Sequence, residues 1–137
     1  MVEVGTLLYF IPPYFASGQE NIKRKKRLML VIENNAQDKT FTLINVSKFE
    51  DKPNCLTYPF NCLIKNYNPP LPLLSFAKLN DNYIIEDFNE LSGFLYKGGA
   101  KLDLAEFNNI TLRHKNYKNN NRLEMISFTR DELLLAN

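Results

Sequence analysis

Up to Ile85 the chain runs as short apolar stretches cut by proline, asparagine and glycine, and this spacing constrains the fold more than any other feature. TLLYFI, residues 6–11, is stopped by Pro12-Pro13 and predicts a strand. LMLVIE, residues 28–33, is almost continuously apolar, too short and too soon followed by turn residues to be a helix. After a turn at 34–39, TFTLINV at 40–46 alternates with the period of a half-buried strand. Residues 28–46 therefore predict a hairpin. Further strands are expected at 58–64, 73–79 and 83–85, the last two separated by Asn80-Asp81-Asn82.

Strands this close leave no room for repeated crossover helices, so a parallel α/β sheet is not expected. Helical pieces come late: a turn at 86–91, a short helix at 103–110 opened by an Asp cap, and the capping box Thr129-Arg130-Asp131-Glu132 before Leu133-Leu134-Leu135. The expectation is one mainly β domain over residues 1–137, a small barrel with short helices appended, mostly in the C-terminal half. Seven Tyr, ten Phe and no Trp suit pleated surfaces.

Net charge is only +2, but Lys23-Arg24-Lys25-Lys26-Arg27 are consecutive cations just ahead of the second strand. Such a run is either a solvated loop or a rim facing a polyanion. The two cysteines, Cys55 and Cys62, match no zinc or redox spacing, and both thiols are expected to be free. MVEVGTLLYF has no cationic start leading into a long apolar stretch, so no secretory signal is expected. No apolar run reaches the length of a membrane span, and a cytoplasmic protein without membrane contact is expected.

Phosphate-loop and dinucleotide fingerprints are absent from the sequence. The single histidine, His114, falls in the polar stretch RHKNYK and is expected to be exposed, which argues against a His-based triad or a His-rich metal site. Glu86 and Glu90 at helical spacing read as a solvated face. What remains is Arg27 at the start of one strand and Ser47-Lys48 at the end of its partner, which an antiparallel hairpin brings to one end of the sheet. An Arg fork beside a hydroxyl suits a phosphodiester on which charge builds. The plainer alternative is that Arg27 ends a loop and Ser47 begins a turn.

The first part of the chain resembles the PemK/MazF family of toxin endoribonucleases. GTLLYFIP (5–12) resembles the family's opening glycine and strand, GQE (18–20) and KRLMLVI (26–32) the loop and strand that follow. NVSK (45–48) falls where the family has a strand entering a Thr/Ser turn, and FAKLNDNYII (76–85) resembles the later strand whose charged residues line the site. The pattern departs in three places: Leu28 replaces a proline, Asn45-Val46 replaces a Pro-containing turn, and Ser47 (or Lys48, if the register slips by one) stands where many members carry Thr. The acidic position falls on Asn80 or Asp81.

The resemblance implies an SH3-like barrel and metal-independent cleavage of single-stranded RNA, without a cofactor, in a toxin–antitoxin system. Arg27 would stabilise the phosphate, Ser47 or Lys48 would bond a non-bridging oxygen, Lys78 would add positive field and Asp81 would be the base. Lys23, Arg24, Lys25, Lys26 and Tyr14 would bind RNA, with Tyr9 and Phe15 also near the rim. The cognate antitoxin is either protein or RNA, since one branch of the family pairs with RNA, and a homodimer is among the assemblies implied. The rival classes are a non-catalytic SH3-like module binding nucleic acid or protein, and an inactive toxin relative working as a partner protein.

Overall fold

The computed structural model describes residues 1–50 and 54–137. Its strands are β1 (Leu7–Phe10), β2 (Arg27–Asn35), β3 (Thr40–Lys48), β4 (Asn61–Ile64), β5 (Ser75–Glu86) and β6 (Glu124–Phe128), with helices α1 (Leu104–Asn120) and α2 (Arg130–Ala136). Single 3₁₀ turns lie at Cys55–Thr57, Asn89–Phe94 and Tyr96–Gly99. The expected hairpin is β2–β3, with Leu28 opposite Val46.

The ladders form a mixed six-stranded sheet in the order β1-β2-β3-β5-β4, with β6 joined to the far half of β5. Among the described residues no ladder links β1 to β4 or β6, so the sheet is open where a barrel was expected. The physical reason is that apolar side chains cover both of its faces. On one face Phe10, Met29, Val31, Leu43 and Tyr83 pack with Leu133 of α2. On the other, Leu7, Leu30, Ile44, Ala77 and Leu79 pack with Ile110 of α1. A strand buried on both faces reads as an unbroken apolar run, which explains Leu28-Met29-Leu30-Val31-Ile32. Each fully buried Leu or Phe contributes about 1.5–3 kcal/mol.

Four local expectations are corrected. Asn80-Asp81-Asn82 do not break a strand: β5 runs through them as a bulge, and Asn82 is buried. The helix expected at 103–110 continues through RHKNYK to Asn120, because Glu106, Ile110, His114 and Tyr117 recur on one stripe toward the sheet. Polar residues on that stripe hid it. His114 is consequently buried, not exposed. Lastly, β6 pairs parallel to β5 after α1, a β-α-β crossover at one edge of the sheet. Its alternating but largely exposed EMISF carries too little apolar content to announce a strand.

The termini of both helices follow their sequence signals. Asp103 accepts from Glu106 N at 3.1 Å, and Thr129 and Glu132 form the expected capping box. The buried Glu106 carboxylate accepts the amides of Lys65 and Asn66 at 3.1 and 3.0 Å, which joins α1 to the loop after β4. Glu86 and Glu90 receive Arg130 at the start of α2, at 2.9 and 2.7 Å. Both cysteines are free and buried. No helix among the described residues is long and apolar enough to cross a membrane.

Candidate functional site

The site begins with a break in the β3–β5 ladder. Ile44 pairs with Asn82, but Val46 pairs with Ala77, so the four residues Lys78 to Asp81 stand against the single residue Asn45, an excess of three on the β5 side. A bulge of this kind bends the strand and re-aims its side chains. Lys78 pairs sideways with Asn61 of β4, and Lys78, Asn80 and Asp81 line a cavity of about 590 Å³. Arg27, from the first position of β2, and Glu124, the partner of Asp81 in β6, line the same cavity.

Asp81 is the electrostatic centre. Partial burial pushes its carboxyl above the usual range; Lys78, a hydrogen bond from the Tyr83 hydroxyl and Arg27 favour its charged form, while Glu124 opposes it. The Tyr83 hydroxyl, buried beside Asp81, is itself held well above its ordinary pKa, first by burial and then by that carboxylate. It accepts a hydrogen bond from Ala16 N at 3.2 Å. A relay thus runs from the Ala16 amide through the Tyr83 hydroxyl to Asp81.

Arg27 is half-buried, its guanidinium stacked 4.9 Å from the centroid of Phe15. Phe15 is positioned by a tight turn, with its amide bonded to Gln19 O and its carbonyl to Gly18 N, each at 2.8 Å. Gly18 adopts φ +91°, which a side chain would strain. Arg27 also lines a second cavity of about 600 Å³, where Ser47 and Lys48 lie with Tyr9 and Lys26. Ser47 follows the Leu28–Val46 pair and donates to Asn45 Oδ1 at 3.4 Å.

The sequence-derived set is therefore divided. Arg27, Lys78 and Asp81 share one cavity; Ser47 and Lys48 share the neighbouring one, and Arg27 alone belongs to both. Lys26 stands 5.2 Å over the Tyr9 ring beside the second cavity. Lys23, Arg24, Lys25 and Tyr14 are exposed and line neither. The basic loop is nonetheless ordered: the buried Asn21 amide donates to Pro12 O and Lys25 O and accepts from Lys25 N, at 2.8 to 3.0 Å. Arg24 reaches away to Ala136 O at 3.0 Å.

Sequence reasoning missed Tyr58, Phe60, Asn61 and Glu124. The rings of Tyr58 and Phe60 stack at 5.2 Å with an interplanar angle of 18°, and both line the first cavity with Phe15. The missed signal is Tyr58-Pro59-Phe60, where a proline between two aromatics is a poor central strand and a good surface platform. Among the described residues no group of three or more His, Cys, Asp and Glu side chains is placed to hold a metal ion. No protein-family model and no curated protein sequence matches the chain.

Proposed function

We propose that the protein binds single-stranded RNA across the Arg27 ridge and cleaves it without a metal, as the toxin of a toxin–antitoxin pair. The observation that carries the reading is the gathering of Arg27 from β2 and of Lys78 and Asp81 from β5 around one cavity flanked by aromatic rings. A binding module has no need of a desolvated carboxylate between two cations. The short-motif resemblance to PemK/MazF toxins points the same way. In this reading β1-β2-β3-β5-β4 stands for the family's SH3-like barrel, opened at one seam.

The chemistry follows from the groups. Asp81 takes the 2′-hydroxyl proton, and burial makes it a stronger base than an ordinary carboxylate. The 2′-oxygen attacks phosphorus, and Arg27 and Lys78 stabilise the charge on the pentacoordinate phosphate. The P–O5′ bond then breaks, and the leaving O5′ takes a proton from water while Asp81 returns its proton to solvent. The products are a 2′,3′-cyclic phosphate and a 5′-hydroxyl. Ser47 and Lys48 hold the adjoining phosphate in the second cavity. The cellular setting proposed is the cytoplasm, with a protein or RNA antitoxin covering the groove and a homodimer as the free toxin's assembly.

Incubation of the purified protein with total RNA in EDTA tests this directly. Discrete fragments ending in cyclic phosphate are expected from wild type and not from Asp81→Asn. Intact RNA with retained binding would leave the non-catalytic module.

A further inference from the structure

Asn61 is 8% exposed, and its Oδ1 has no hydrogen-bond partner among the described residues. Buried acceptors are almost always satisfied, because an orphaned one forfeits its hydration without return. The amide orientation is not arbitrary. Nδ2 donates to Cys55 O at 2.8 Å, and a flipped amide would set Oδ1 against that carbonyl, oxygen to oxygen. The oxygen is therefore the free end of the side chain, and Asn61 lines the cavity that holds Arg27 and Lys78.

The surroundings specify what would satisfy it. Tyr58 and Phe60 form a stacked pair on the same cavity, with Tyr58 more than half exposed at 53%. Aromatic faces of this kind hold unstacked bases. A cavity of about 590 Å³ is large enough for a nucleotide. Lys78 is the cross-strand neighbour of Asn61, so a base on the platform has its phosphate beside the cations.

We infer that this end of the cavity is a nucleobase subsite, in which Asn61 Oδ1 accepts a hydrogen bond from the exocyclic amino group of adenine or cytosine stacked on the Tyr58–Phe60 platform. Uracil and thymine present a carbonyl at that edge, which would meet Oδ1 lone pair to lone pair. The subsite confers base selectivity and rests on the RNA-binding part of the proposed function, not on cleavage.

The test uses fluorescein-labelled 2′-fluoro RNA pentamers, which lack the nucleophilic hydroxyl, so binding is read by anisotropy without cleavage. The central base is adenine, unsubstituted purine or uracil, in a uracil background. Wild type is expected to bind the adenine pentamer about tenfold more tightly than the purine one, the usual scale for leaving a buried acceptor unpaired. Asn61→Leu should bind the two alike. The purine comparison needs only wild-type protein, so it stands even where the variant folds poorly. Equal binding of adenine and purine by wild type, or no binding of any pentamer, overturns the subsite. Adenine preference without cleavage of unmodified RNA supports the subsite and removes the nuclease. Cleavage without preference does the reverse.

Discussion

His114 Nε2 lies 2.7 Å from Asn82 Oδ1, a buried contact that ties α1 to the strand carrying Asp81. The amide oxygen accepts, so Nε2 carries the proton. The other end of the amide, Asn82 Nδ2, donates to Leu79 O at 3.1 Å inside the bulge. The helix thereby braces the backbone on which Lys78 and Asp81 stand. His114→Leu leaves a fully buried acceptor unpaired and is expected to cost about 1–3 kcal/mol, read as a lower urea midpoint.

The same histidine gives a pH signature. Burial is the main cause holding its folded pKa below the ordinary 6.5; Lys118 adds to it and Glu33 opposes it. The unfolded chain therefore binds the proton more readily than the native one. Its contribution is intact above the unfolded value of 6.5 and is lost as pH falls from there toward the folded value. Wild type should lose stability between neutral and mildly acidic pH more steeply than His114→Gln, whose amide N–H still reaches Asn82. Parallel pH profiles in urea melts would remove His114 as the titrating group.

Asp81 and Tyr83 make opposed demands on activity and stability. With the Asp81 carboxyl raised by burial, the acidic limb of the rate profile should lie above the ordinary 3.8. Tyr83→Phe removes a hydrogen bond that favours the charged carboxylate, so the limb should move to higher pH. Asp81→Asn replaces a penalised buried charge by a neutral amide, so it should abolish cleavage while raising the neutral-pH melting temperature. An inactive variant that is also less stable would mean that the carboxylate serves the fold.

Much of the sheet was legible because β2 and β3 declare themselves by apolar runs on either side of a turn. The two-sided burial was not, since a continuous run fits a barrel strand or a sheet covered by helices. Three polar residues concealed the rest. Glu106 and His114 occupy the buried stripe of α1, each satisfied by a partner far away in sequence, the Lys65 and Asn66 amides and Asn82. Asn82 looks like a turn residue and sits instead inside a strand. Of the candidate-site residues, Arg27 was placed by hairpin geometry and Lys78 by the short-motif resemblance, which left the acidic position open between Asn80 and Asp81. Asn61 was not legible, because its importance lies in a bond it lacks.

The basic loop gives a graded prediction. Lys26 and Arg27 border the cavities, whereas Lys23 and Lys25 are exposed away from them. Each phosphate contact on a single strand contributes a slope of about −0.7 in log K against log salt. Lys23→Ala with Lys25→Ala should flatten that slope while leaving base preference and cleavage rate at saturating RNA unchanged. A steep, unaltered slope in binding titrations would assign the electrostatics to the cavity cations alone.

Arg27 is the residue on which the proposed mechanism turns, because it is the one sequence-derived candidate that borders both cavities. Its guanidinium lies over the Phe15 ring, a contact that restricts the rotamers from which its donors meet a phosphate. Phosphoryl transfer builds charge on the oxygens in the transition state, and a fixed donor there acts more strongly than in the ground state. Removing one such donor lowers rate by about 10²–10³-fold. If the proposed toxin reading holds, wild type expressed without an antitoxin is expected to arrest growth, and Arg27→Ala to relieve that arrest. Arg27→Lys keeps charge but loses the two-pronged contact, and should fall between the two. Arg27 begins β2 at the end of a loop, so the variants should fold, which circular dichroism checks directly. Phe15→Leu leaves the guanidinium in place but frees it, and should lower kcat more than it raises KM. A folded Arg27→Ala as toxic as wild type would move the phosphate site away from this ridge.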